Sequence, residues 1–198
     1  MPRDAVLVTV DDGFMSLKEI ALPILRRHGI PAVAFVSAGL IGSRGDHGPS
    51  APADDYMDWR DLELLNAYGV SIQSHGWSHH SLGYLGHDEM CAELSQSKKL
   101  IEDRLDTAVT AFAYPFGTRA DFNPAVAAEV ARAGYRFAFT SQHGPIQRGD
   151  DSRMLTRIKV ESGDSLATFG SLVHGGMDAW RWIDRGLWRL QASRRGQV

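Results

Sequence analysis

The sequence is organised around the stretch Val8-Thr9-Val10-Asp11-Asp12-Gly13-Phe14. An apolar run from Ala5 to Val10 predicts a buried strand, and a glycine breaks the chain directly after two aspartates. Adjacent carboxylates at the end of a buried strand are costly, because like charges resist joint ionisation and burial disfavours the charged form. The sequence therefore predicts a compensating feature beside Asp11 and Asp12: a metal ion, an arginine or a proton-transfer task.

Length and composition set the broad class of the protein. The 198 residues fit one domain with a substantial core, expected to span residues 1–198. A formal net charge of −3, spread along the chain, predicts no nucleic-acid partner. Cys91 is the one cysteine, which excludes an intrachain disulfide and a cage of cysteine ligands, and its helical pattern favours a structural thiol.

Targeting signals are sought at the start of the chain and in its apolar runs. Met1 leads almost directly into the first predicted strand, and the sequence contains neither a signal-peptide pattern nor a run of transmembrane length. A cytoplasmic location is therefore expected, unless the chain is a processed or excised domain.

Apolar segments alternate with helical patterns along the chain. The predicted strands are 5–10, 32–37, 70–74, 110–114, 135–140 and 154–160. The predicted helices are 16–27, 59–68, 88–106, 123–133, 164–174 and 178–192. Strands and helices that alternate at short spacing are typical of an α/β fold with parallel strands and crossover helices.

Two of the predicted helices carry more specific expectations. In the first, Ser16 and Glu19 predict a capping box, while Pro23 predicts a kink or a later start. The helix 88–106 is expected to present a charged surface face. Its members are Glu93, Lys98, Lys99, Glu102 and Asp103.

A second polar segment, His75-Gly76-Trp77-Ser78-His79, follows the predicted strand 70–74. Catalytic zinc sites use three protein ligands drawn from histidine and carboxylate groups, and two histidines four residues apart can face one side. One aspartate of the first segment can supply the third ligand, and the other can act as a general base towards water. Trp77 either packs beneath this site, which is favoured, or lines a sugar groove.

Three segments, in this order, resemble the polysaccharide deacetylase family, also known as the NodB-homology domain or carbohydrate esterase family 4. They are Asp11-Asp12-Gly13-Phe14, His75-Gly76-Trp77-Ser78-His79 and Ala113-Tyr114-Pro115-Phe116-Gly117. The resemblance extends from about residue 5 to about residue 160. It implies a distorted (β/α) barrel of the NodB type, a divalent metal that is most often zinc, and removal of acetyl groups, mostly N-acetyl, from sugars.

The resemblance also implies roles for individual residues. Asp11 resembles the catalytic base, and the implied metal ligands are Asp12, His75 and His79. The segment around Phe116 resembles the groove wall, where the backbone N–H of Phe116 would help to hold the oxyanion. Tyr114 and Phe116 are either core residues or, as their place beside the proline favours, part of this wall.

The sequence departs from the family pattern at two places. Many members carry an arginine before the proline motif, where this chain has Phe112-Ala113-Tyr114. Arg157 is the candidate replacement, since it resembles a late arginine of a short branch that includes exopolysaccharide-processing members; a surface arginine is the equal alternative.

The general acid is the second departure. His174 matches the letters of a Leu-x-His motif that carries the acid in many members, but residues 165–174 predict an amphipathic helix rather than a strand end. His143 and His80 are weaker candidates, and water is another. The identity of the acid therefore stays open.

Two further segments are open to more than one interpretation. Residues 178–198 combine three tryptophans with five arginines and predict a terminal basic and aromatic helix. It either docks on the barrel, which is favoured, or makes a weak contact with a membrane surface. The loop Gly42–Tyr56 is a lid, a groove rim or a solvated loop.

The predicted function is a metal-dependent deacetylase that hydrolyses N-acetyl groups of sugars or polysaccharides. One alternative is an amidase or deformylase that acts on a small or lipid-linked sugar substrate. The other is a non-catalytic sugar-binding relic, although an intact set of Asp11, Asp12, His75 and His79 argues against it.

Overall fold

The computed structural model describes residues 5–44 and 55–179. These residues divide into two units. The first runs through residues 5–80 and 87–113 apart from 45–54, and the second through 81–86 and 114–179. The expectation that residues 1–198 form a single domain stays a prediction.

The first unit contains four parallel strands in chain order. They are β1 (Val8–Val10), β2 (Ala32–Val36), β3 (Val70–Ser74) and β4 (Ala111–Ala113). Most of β2 and β3 is buried, as their apolar sequence predicts. Because the strands are parallel, Asp11 after β1 and His75 after β3 leave the sheet at the same edge.

The first helical segment is continuous from Met15 to His28 and contains a π-helical turn. Leu17–Ala21 is a π-helical turn, and α1 is Leu22–His28. Pro23 closely follows the π-helical turn, and Ala21 before α1 already has helical dihedral angles (φ −76°, ψ −44°), so the predicted late start is wrong. The predicted capping box is wrong, because Ser16 has helical dihedral angles (φ −56°, ψ −29°) and its side chain makes no cap.

The other helices of the first unit are α2 (Trp59–Ala67) and α3 (His87–Leu105). Lys99 and Asp103 of α3 are exposed and form an i,i+4 ion pair, as predicted for a surface face. Glu93 is different, since only 8% of it is exposed. The prediction that Glu93 belongs to the surface face of α3 is therefore wrong.

In its described residues, the second unit contains two parallel strands and two α-helices. The strands are β5 (Phe137–His143) and β6 (Leu155–Arg157), and the helices are α4 (Pro124–Arg132) and α5 (Leu166–Val173). Asn123 caps α4 by accepting from the N–H groups of Ala125 and Val126 at 2.9 and 3.0 Å. This cap is the one predicted from the Asn-Pro pair.

Tyr114 belongs to the core of the second unit. Its side chain is 1% exposed, its ring stacks on Phe122 with centroids 5.4 Å apart, and its hydroxyl donates to the carbonyl of Arg153 at 2.8 Å. The expectation that Tyr114 lines a groove wall is therefore wrong. A tyrosine beside the proline motif can fill the core because its hydroxyl finds a backbone acceptor there.

Two predicted segments fall largely outside the described residues. The terminal basic and aromatic helix predicted for 178–198 lies outside them from residue 180 onward, and most of the loop Gly42–Tyr56 lies in the gap 45–54. Within the ranges that are described, no helix has the length and apolar character needed to cross a membrane.

Candidate active site

The two polar segments that follow β1 and β3 meet in the first unit. Oδ1 of Asp12 lies 3.4 Å from Nε2 of His75 and 3.1 Å from Nε2 of His79. The three donor atoms all lie within 4.8 Å of one another. The side chain of His75 is 2% exposed, whereas those of Asp12 and His79 are 31% and 27% exposed, so the cluster is buried on one side and open on the other.

The backbone at this cluster is held in an uncommon conformation. Asp12 has a φ of 73° and His79 a φ of 61°, both in the left-handed region. Aspartate and histidine tolerate this region better than most residues, but the conformation still carries a cost and persists only where the surroundings fix it. For Asp12 the surroundings include Ser37, whose N–H donates to the Asp12 carbonyl at 3.4 Å.

A backbone contact fixes the tautomer of His75. Its Nδ1 lies 2.7 Å from the carbonyl oxygen of Ala113 in β4. A carbonyl only accepts hydrogen bonds, so Nδ1 carries the proton and, in the neutral ring, Nε2 presents its lone pair towards Asp12. This orientation is the one that a metal-ligating histidine needs.

The donor atoms of Asp12, His75 and His79 are suited to binding a cation. Burial would raise the pKa of Asp12, but hydrogen bonds and positive charge from His75 and His79 outweigh it and hold that pKa well below its usual range. A metal ion held by the Nε2 lone pairs of both histidines would supply positive charge in the same place. Ligand atoms in a tetrahedral zinc site lie about 3.3 Å apart, so the observed 3.1 and 3.4 Å fit.

Trp77, between the two histidines, packs on the turn after β2. The N–H of Gly39 donates to the Trp77 carbonyl at 2.8 Å, and a Cβ placed on Gly39 would lie 2.6 Å from Nε1 of Trp77. A glycine at residue 39 therefore makes room for the indole. This contact supports the favoured interpretation, in which Trp77 packs beneath the site.

An aromatic pair that no sequence motif predicts lies next to Asp12. Phe14 and Tyr56 form an antiparallel bridge, and their ring centroids are 4.8 Å apart at an interplanar angle of 36°. Flanking hydrogen bonds hold the segment in place: Met15 N–H to the Asp55 carbonyl at 2.8 Å and Met57 N–H to the Gly13 carbonyl at 2.9 Å. Both rings are half-buried, so part of each faces solvent.

The pKa of Tyr56 is consistent with a position near Asp12. Burial raises its pKa, and the negative charge of Asp12 raises it further. A capping box between Asp58 and Asp61 fixes the start of α2 directly after the Tyr56 segment, with distances of 2.9 and 3.1 Å. The phenol is therefore held close to the carboxylate that joins the two histidines.

Asp11, the predicted base, directly follows β1 in the first unit, and the other predicted site residues lie in the second unit. Phe116 has a φ of 63° and is 47% exposed, and its carbonyl accepts from the hydroxyl of Ser141 at 2.6 Å. Arg157, the last residue of β6, donates from Nε to the Thr140 carbonyl at 2.9 Å. The roles assigned to both residues stay predictions.

His174 ends helix α5, which confirms the helix predicted there. It is the C-cap residue, it is exposed, and its Nδ1 lies 2.7 Å from the Gly170 carbonyl one turn earlier. His80 of the first unit is also exposed, and its Nδ1 lies 2.8 Å from the Ser78 hydroxyl. The assignment of the general acid is still open between these histidines, His143 and water.

Comparison with known proteins places this site in a family. Residues 1–138 match the family model described as polysaccharide deacetylase. A putative polysaccharide deacetylase, YxkH of Bacillus subtilis, is 26% identical over 85% of this chain and 56% of its own length. A poly-beta-1,6-N-acetyl-D-glucosamine N-deacetylase of Staphylococcus aureus is 21% identical over 80% of this chain and 55% of its own length. The chain thus spans about half the length of these curated relatives.

Solved structures give the same assignment for the fold. The Streptococcus pyogenes deacetylase PplD, in complex with acetate, is 24% identical with a TM-score of 0.73, over 85% of this chain and 70% of that one. IcaB from Ammonifex degensii is 22% identical with a TM-score of 0.69, over 85% and 72%. These likenesses confirm the predicted fold class, an α/β fold of the NodB type. With the family model matching more than half of its 198 residues, the chain belongs to the polysaccharide deacetylase family.

Proposed function

We propose that this chain is a metal-dependent deacetylase that hydrolyses N-acetyl groups of sugars or polysaccharides. The observation that carries the proposal is the convergence of the Asp12, His75 and His79 donor atoms. A second aspartate, Asp11, directly precedes Asp12 in the chain. The names of the relatives support an acetylated polysaccharide as the substrate, and a polymer of N-acetylglucosamine is the class that we favour.

In the proposed mechanism the chain divides the work between its two aspartates. Asp12, His75 and His79 would hold a divalent metal, most simply zinc, which supplies Lewis acidity and makes water more acidic. Asp11 accepts the proton of the water that attacks the acetyl carbon. The carbon–nitrogen bond then breaks, and the products are acetate and a free amine.

Two further roles are carried over from the family resemblance. The backbone N–H of Phe116 donates to the acetyl oxygen as negative charge develops there, a contact worth about 3–4 kcal/mol in comparable sites. Arg157 stays the candidate for the role of the arginine that many family members carry before the proline motif. The leaving amine takes its proton from an acid that is still to be assigned.

The aromatic pair beside Asp12 suggests where a sugar ring binds. Pyranose rings have apolar C–H faces, and a half-buried aromatic ring offers a flat partner for them. Phe14 and Tyr56 present such a surface next to the proposed metal ligands. We infer that they form one wall of the sugar subsite.

Tyr56→Ala is expected to raise KM for N-acetylglucosamine oligomers about 2- to 10-fold with little change in kcat, since an aromatic contact contributes about 0.5–1.5 kcal/mol. Tyr56→Phe keeps the ring and should retain the KM of the wild type. Tyr68→Ala is the matched control, because Tyr68 is an exposed tyrosine at the C-terminal end of α2. A KM for Tyr56→Ala equal to that of Tyr68→Ala would remove Tyr56 from the subsite.

The proposed function is tested by measuring acetate and free amine released from N-acetylglucosamine oligomers. Zinc-loaded protein should release both in equal amounts, a chelator should stop the release, and added zinc should restore it. Release of formate from N-formyl substrates, with none from N-acetyl ones, would favour the amidase or deformylase alternative. Sugar binding without release from any acyl substrate would favour the relic.

A further inference from the structure

Glu93 of α3 is a buried carboxylate that contacts the segment between the two histidines. Its Oε2 accepts from the backbone N–H of Trp77 at 2.7 Å and from that of Ser78 at 3.0 Å. Its Oε1 accepts from the hydroxyl of Ser78. The residue is 8% exposed. A buried carboxylate is costly unless its oxygens are hydrogen-bonded, and here both oxygens are.

The groups that Glu93 binds belong to the turn that connects His75 to His79. This turn contains His79 in the left-handed region, at a φ of 61°. A strained conformation of this kind persists only where neighbouring groups fix it. One carboxylate oxygen, Oε2, accepts from two consecutive N–H groups of the turn, and the other, Oε1, accepts from the Ser78 hydroxyl.

The opposite side of the same turn is also fixed. Ala38 donates to the Gly76 carbonyl at 3.0 Å, and Gly39 donates to the Trp77 carbonyl at 2.8 Å. The turn therefore directs carbonyl groups towards the chain after β2 and N–H groups towards α3. Of these two supports, the one from α3 depends on a single side chain, and a substitution can remove it.

We propose that Glu93 is a positioning residue for the divalent metal: its carboxylate holds the turn in the conformation in which His75 and His79 both face Asp12. The inference rests on the proposed metal site. It adds that the affinity for zinc depends on a residue that does not itself touch the ion. Residues that orient metal ligands in this way typically contribute a factor of about 10–100 to metal affinity.

The test compares the zinc Kd of E93Q with that of the wild type, by competition with a chromophoric chelator, alongside thermal unfolding of the metal-free proteins. Glutamine has nearly the same shape but no negative charge, so its hydrogen bonds to the N–H groups of Trp77 and Ser78 should be weaker than those of the carboxylate. We expect E93Q to bind zinc about 10- to 100-fold more weakly. Kd is the decisive readout, because loss of stability alone would lower the unfolding temperature and leave the zinc affinity of the folded protein unchanged.

Glu102→Gln is the matched control. Glu102 lies on the same helix, and its side chain also accepts a hydrogen bond from a backbone N–H, that of Val109, at 3.0 Å. Val109 lies outside the turn that connects His75 to His79. The zinc Kd of E102Q should equal that of the wild type. A folded E93Q protein with the wild-type Kd would overturn the inference.

Ser78→Ala provides a second, milder variant. It removes the hydroxyl that contacts Oε1 of Glu93 and leaves both backbone contacts in place. Its zinc Kd should rise by less than that of E93Q, and if E93Q fails to fold, an unchanged Kd for S78A overturns the inference. Wild-type protein that binds no zinc would instead refute the proposed metal site, which separates the two failures.

Discussion

Asp11→Asn is expected to lower kcat for acetate release about 10²- to 10⁴-fold, the usual contribution of a positioned general base. The substitution keeps the size of the side chain and removes its ability to accept a proton. Asp11 directly follows β1 and precedes Asp12, so it is placed beside the proposed metal ligands. We expect the variant to bind zinc as the wild type does, because the three ligands are unchanged.

The measurement pairs single-turnover acetate release with zinc content per chain. Asp103→Asn is the matched control, since Asp103 is exposed on α3 and pairs with Lys99 at 2.6 Å. If the Asp11→Asn variant retains zinc but no longer releases acetate, Asp11 is assigned to proton transfer. Wild-type release by the Asp11→Asn variant would contradict this role, and loss of zinc together with release would make Asp11 a ligand instead.

His79→Ala is expected to abolish tight zinc binding and, with it, acetate release. A lost ligand should weaken zinc by more than the factor of about 10–100 that belongs to residues supporting a ligand. The side chain of His79 is 27% exposed, so its removal should leave the fold intact. His28→Ala is a matched control, because His28 is exposed at the end of α1.

His75→Ala separates the binding role of a ligand from its structural role. The side chain of His75 is 2% exposed and its Nδ1 donates to the Ala113 carbonyl. Its removal should therefore weaken zinc as His79→Ala does and also lower the free energy of unfolding of the metal-free protein by about 1–3 kcal/mol, since a buried acceptor loses its donor. Equal free energies of unfolding for the metal-free His75→Ala and His79→Ala variants, measured by chemical denaturation, would contradict the structural role of His75.

Much of the fold follows from local sequence signals. The run Val70–Ser74 is a strand with the predicted bounds, because its apolar residues lie between a glycine and a polar turn. Asn123 and Pro124 begin α4 as predicted. The groups around Asp12 could also be predicted, since parallel strands bring their carboxyl ends to one edge and two of those ends carry aspartate and histidine.

The predictions that fail concern residues whose environment is set by contacts with residues distant in sequence. Helical spacing alone assigns Glu93 to the surface, and only the N–H groups of Trp77 and Ser78, on a different loop, make its burial favourable. Tyr56 is similar: its partner Phe14 is in a recognisable motif, but nothing local predicts that the two segments pair. Tyr114 was expected at a groove and lies in the core, because a distant carbonyl satisfies its hydroxyl.

A zinc titration of the metal-free protein tests most directly whether Asp12, His75 and His79 form a catalytic metal centre. Acetate release is measured after each addition of zinc. Release from N-acetylglucosamine oligomers should rise with added zinc and reach its maximum at one zinc per chain. The His79→Ala variant should show no rise over the same range. Full release by metal-free protein, or an equal rise in the His79→Ala variant, would contradict the account.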